Sequence, residues 1–205
     1  MEIQFEKNAG IALIVFTLLM VFTIVLHPAG GSFEHLLKIT TMIIVSHSIA
    51  ILSLPLAALG FWGLTKKIGD RYFLSLLAFA FICLGLITAL MAAATNGLVL
   101  PLFIQKFKDA TPDLKYNTAV NNAFDYIYSA ALCIAMLLWS IAILQYKKLP
   151  VWLGWLGIAV CIFTVLLVVG GYALSSLQGL RFFVSGMVLW IFSAGILLSY
   201  SGKQS

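Results

Sequence analysis

Residues 39–64 read ITTMIIVSHSIAILSLPLAALGFWGL, a run with no Asp, Glu, Lys or Arg. A hydrocarbon core about 30 Å thick is crossed by about 20 apolar residues in a helix. The run meets that length, so its first constraint is its solvent: a helix in lipid. Within it lie His47, Ser46, Ser48, Ser53 and Pro55. An ionisable group at membrane depth is costly unless it faces protein, water or a partner. Ser46, Ala50, Ser53, Ala57 and Gly60 recur at helical spacing, a small stripe along which a second helix can approach closely. Pro55 removes the bond to the Ile51 carbonyl and is expected to kink the helix there. His47 therefore has two readings, a hydrogen-bonded packing residue or a functional group.

Five more runs of this kind follow the same logic, at about 9–26, 72–98, 112–146, 151–173 and 181–200. The expected fold is an all-α integral membrane protein, residues 1–205 forming a single bundle of six transmembrane helices. In the third run Gly85, Ala89, Ala93 and Gly97 fall four apart and form another close-packing ridge. Between the third and fourth runs, Val99, Leu102, Phe103 and Phe107 share one side of a short amphipathic segment, with Gln105, Lys106 and Lys108 elsewhere. That pattern suits a piece lying in the interface. Thr111-Pro112-Asp113 then reads as an N-cap, a proline at the first helical position and an acid in the first turn. Trp152 and Trp155 fit an interfacial aromatic belt. The first run begins after MEIQFEK rather than a basic leader and is read as a retained helix, not a signal peptide.

Composition removes several function classes. At 62% hydrophobic and 9% charged, the chain is unlike a soluble domain. The net charge of +5 does not imply nucleic-acid binding, because the basic residues sit in short loops between apolar runs. Cys83, Cys133 and Cys161 each lie inside an apolar run, which argues against a disulfide framework or a zinc knuckle. They read as small core residues. Lys7, Lys66, Lys67, Arg71, Lys147, Lys148 and Lys203 fall on one side of the six-helix threading, and Lys38, Lys106, Lys108, Lys115 and Arg181 on the other. Positive-inside reasoning then places both termini in the cytoplasm. The start of the fifth run, KKLPVWLG, resembles small multi-spanning bacterial membrane proteins in general style. That resemblance implies a bacterial inner membrane and carries no chemistry with it.

The threading also sorts the polar residues. His47 lies roughly 10–12 Å into the second run from its outer end, and Asp125 roughly 7 Å into the fourth from the same side. His27, Glu34, His35, Asn96, Asn121, Asn122, Tyr172 and Arg181 fall at or near that end too, while the inner half is almost purely apolar. Asn122, Asp125, Tyr126 and Ser129 share one helical face by the three-and-four rule. The expectation is an outward polar pocket centred on His47 and Asp125, with Asn122, Tyr126, Ser129, Asn96 and Arg181 as further ligand-binding candidates.

Each has a plain alternative. Charged groups near helix ends are solvated, asparagines satisfy helix-start backbone groups, and tyrosines serve the aromatic belt. Asp125 is hardest to dismiss, since a carboxylate inside the membrane needs a partner or a proton.

Three functions fit. The first binds or translocates a small ligand or a proton. The second is a membrane enzyme or a haem or metal protein using His27, His35 and Glu34 with His47 and Asp125. His35 and His47 are about 18 Å apart along one helix, too far to share a metal without a break. HExxH, Gly-rich phosphate loops and GxSxG are missing from the sequence, so the motifs weigh against an enzyme. The third is an accessory subunit packing on a partner membrane protein or a second copy through its small-residue ridges. The threading is testable by itself. A reporter that fluoresces only in the cytosol, fused after Tyr200, is expected to be bright; a dark fusion that becomes active only on the far side reverses the assignment.

Overall fold

The structure, a computed structural model, describes residues 2–26, 33–106, 111–171 and 177–200. The described residues are helical almost throughout: α1 (Glu2–Leu26), α2 (Phe33–Lys38), α3 (Thr40–Ile68), α4 (Phe73–Ala94), a π turn (Thr95–Val99), α5 (Leu100–Lys106), α6 (Thr111–Tyr146), α7 (Val151–Val169) and α8 (Leu177–Tyr200). Six stretches are long and apolar enough to cross a bilayer, beginning with Ile3–Leu26 and ending with Phe182–Tyr200. The protein is a six-helix, multi-pass membrane bundle. Helices suit that setting because they satisfy their own backbone groups where no water can.

Helix ends depart from the sequence expectation in a consistent direction. α1 starts at Glu2 rather than near Ala9, and α3 runs on to Ile68, taking Lys66 and Lys67 into its last turn. The two extensions meet: Lys67 Nζ lies 2.8 Å from Glu6 Oε2, and Lys66 Nζ sits 6.0 Å from the Phe5 ring centre. Charged residues can extend a helix past the hydrocarbon because their heads reach the interface. α3 also passes through Pro55 as one continuous helix.

The third span is longer than expected, reaching Lys106. The reason is local. Pro101 has no N–H and would crowd the carbonyl of Gly97 in a regular α-helix. The chain instead makes one wide turn, with the Leu100 N–H bonded to the Thr95 carbonyl, and continues as α5. α5 is the segment expected to lie in the interface. It buries Pro101 and Ile104 and exposes Leu102. Phe107 and Lys108 lie outside the described residues.

Packing is built in pairs. α1 lies along both α3 and α8, α4 along α6, and α6 along α7. Between α1 and α8 glycine meets glycine. A Cβ on Gly10 would fall 2.6 Å from the Gly195 carbonyl oxygen, so α1 and α8 touch backbone to backbone. One end of the bundle is marked by Tyr72 and Tyr146, stacked with ring centres 3.6 Å apart. Above it lies an aromatic layer. Phe61 stacks on Trp139 at 5.2 Å, and Trp139 on Trp190 at 6.2 Å; all three are essentially fully buried. The Trp190 indole N–H donates to the Leu153 carbonyl at 3.0 Å, tying α8 to α7.

This layer, not the charged rim, should dominate stability. Trp139→Ala is expected to cost about 3–5 kcal/mol, and Lys67→Ala no more than about 1 kcal/mol because its ion pair is partly solvated. Unfolding in mild detergent compares them; equal losses would move the centre of stability to the rim.

Candidate functional site

The polar residues gather at the end of the bundle away from the Tyr72–Tyr146 pair. Asp125 and His47 each stand roughly 31 Å from the ends of their own helices at Tyr146 and Ile68, at about 1.5 Å per residue. They therefore reach the same height, and both line one cleft of about 180 Å³. Asn96 and Asn121 line it as well.

Each polar group is held by its own helix. His47 is 8% exposed, and its Nδ1 lies 2.8 Å from the Ile43 carbonyl. A carbonyl only accepts, so Nδ1 carries a proton. Ser46 Oγ donates to the same carbonyl at 3.1 Å and lies 3.2 Å from Nδ1, which steadies the ring. On α6 the Asn121 amide Nδ2 donates to Asp125 Oδ2 at 2.9 Å. The carboxylate thus fixes which way the Asn121 amide points, and its Oδ1 is buried without a hydrogen-bond partner among the described residues.

Asn96 enters from the π turn. Asn96 lines the cleft on the same face as Leu86, Ala89 and Ala93 of α4, and Gly97 lies flat against His47. A side chain at Gly97 would overlap the His47 Cβ, so only glycine permits this contact. Asn117 Nδ2 lies 3.5 Å from Asn96 Oδ1, a long bond joining the π turn to α6. π turns recur at functional sites, where they re-aim a residue that a regular helix would misplace.

Below the polar groups the cleft becomes apolar. Phe16 and Met20 of α1, Leu54 of α3 and Leu86 of α4 form its lower wall. Phe16 also meets Phe61 edge-on at 6.3 Å, so the floor rests on the aromatic layer. Ile24 and Val184 line both this cleft and a neighbouring groove between α1 and α8. Val21 and Val25 of that groove are 40% and 74% exposed, an apolar surface facing the bilayer.

Of the residues singled out in the sequence, the structure brings together His47, Asp125 and Asn96. Asn122, Tyr126 and Ser129 do not line the cleft. Tyr126 is 46% exposed, and Ser129 is buried with no hydrogen-bond partner for its hydroxyl among the described residues. The cleft face of α6 is Asn121, Asp125 and Tyr128, one residue round from the face expected. That face also has helical spacing, i, i+4, i+7, but sequence alone could not choose between the two. Glu34 and His35 are exposed on α2. His27 and the side chain of Arg181 lie outside the described residues, as does Tyr172. No group of three or more His, Cys, Asp or Glu side chains able to hold a metal ion occurs among the described residues.

No protein-family model, curated protein or solved structure matches this chain.

The Gly97–His47 contact gives a direct check. Gly97→Ala is expected to lose about 1–3 kcal/mol through overpacking and to shift the His47 ring nitrogen resonances. Unchanged resonances in a stable variant would mean that the π turn does not hold the histidine.

Proposed function

We propose that this protein binds a small amphipathic molecule drawn from the bilayer, with the cleft opening on the side away from the cytosol. The observation that carries this reading is the cleft's polarity gradient. His47, Asn96, Asn121 and Asp125 crowd one end, while Phe16, Met20, Leu54 and Leu86 line the other. A ligand with a hydrogen-bonding head and an apolar body matches both ends at once. The shared wall at Ile24 and Val184 offers it a route from the lipid-facing groove.

Size limits the ligand. An apolar cavity of about 150 Å³ holds benzene, so a cleft of about 180 Å³ suits a molecule of one ring and a short head. The stacked Phe61, Trp139 and Trp190 close the far side. Binding is thus favoured over passage, since translocation would require that layer to part. The haem and metal alternatives lean on His27, Glu34 and His35, and of these the two described do not line the cleft.

A neutral probe tests the cleft without reference to charge. In lipid nanodiscs, saturation-transfer NMR is expected to detect 2-phenylethanol on the wild type. Ala89→Phe, which fills the cleft from α4, should weaken it at least about tenfold, the scale of one lost buried contact, without lowering the unfolding temperature. Equal binding by a folded Ala89→Phe protein would place the molecule elsewhere and remove the proposal.

A further inference from the structure

We infer that the head group selected by this cleft is an amine in its protonated, cationic form; the inference rests on the cleft reading above and adds the class of ligand. Asp125 is the only charged side chain lining the cleft among the described residues, and no lysine or arginine faces it there. A carboxylate offers about four acceptor positions. Among the described residues Asp125 receives one hydrogen bond, from Asn121 at 2.9 Å. That bond uses the donor end of Asn121, whose Oδ1 is buried without a hydrogen-bond partner among the described residues. Asp125 lines the cleft with acceptor positions still open, and it is the group there that can carry a negative charge.

Candidate heads differ in what they supply. A hydroxyl brings a single donor and no charge. A carboxylate head brings acceptors to acceptors and charge to like charge. A primary ammonium brings three donors and the charge opposite to a carboxylate's, which suits the open acceptor positions of Asp125. Tyr128, one turn further along the same face, adds an aromatic ring to the lining, and aromatic faces attract cations. The apolar lower wall then receives the hydrocarbon part.

Three probes of one shape separate the possibilities: 2-phenylethylamine, 2-phenylethanol and 3-phenylpropanoate, titrated at pH 7 onto full-length protein in nanodiscs of zwitterionic lipid. The amine is expected to bind at least about tenfold tighter than the alcohol, as a charge-assisted hydrogen bond requires. Asp125→Asn, nearly the same shape, should erase that preference, lowering the affinity for the amine more than that for the alcohol. Equal affinities for amine and alcohol in the wild type, or a preference for the propanoate, would overturn the amine assignment and leave the cleft reading standing. Arg181 provides a further arm. If its side chain already neutralises Asp125, Arg181→Gln will gain amine affinity that the wild type lacks, which also overturns the assignment. Failure of all three probes on folded protein would remove both readings.

Discussion

A partly buried carboxylate among transmembrane helices limits everything placed near it. Asp125 cannot face hydrocarbon, so α6 must turn it inward, and something must solvate it there. Asn121, one turn before it, supplies the first hydrogen bond at 2.9 Å. The bond leaves the amide oxygen of Asn121 buried and without a partner among the described residues. Helical spacing puts Asn121, Asp125 and Tyr128 on one face of α6, and that face lines the cleft with His47 and Asn96. The rest of the bundle can be read as the means of keeping this end open and the other end shut.

Two features keep it open. Pro101 disrupts the regular helical ladder, and the resulting π turn delivers Asn96 and Gly97 to the flank of His47. Asn96 continues the α4 face of Leu86, Ala89 and Ala93 that lines the cleft. The histidine in turn is held by the Ile43 carbonyl and Ser46 in the preceding turn of α3. At the opposite end, large rings leave no comparable space. Phe61, Trp139 and Trp190 fill the section between α3, α6 and α8, and the Tyr72–Tyr146 stack closes the rim beneath them.

Much of this was legible in the residues alone, because lipid makes simple demands. Run length gave six helices, since few other backbones satisfy themselves in hydrocarbon. The shared height of His47 and Asp125 followed from helical rise, and both do line one cleft. What the sequence could not resolve was rotation. Asn122, Asp125, Tyr126 and Ser129 form an equally good helical face, yet Tyr126 points outward and Asn121 points in. The direction of a transmembrane helix's inner face depends on its neighbours, and when both neighbouring faces carry polar residues the pattern does not choose. The π turn was hidden for another reason: Pro101 sits in a stretch whose amphipathic spacing reads as a separate interfacial piece, so its effect on the preceding turn had no signature of its own. The end ion pair between Glu6 and Lys67 was likewise out of reach, because it joins residues from two different helices whose ends both extend beyond their apolar runs.

The most direct measurement is an experimental density map of the protein in a lipid nanodisc, at a resolution that shows side chains. The account predicts elongated density in the cleft, one end against Asp125 and Asn121 and the other over Phe16 and Leu86. A map in which Asp125 and His47 face different sides of the bundle, or in which packed side chains leave no room between them, would contradict it.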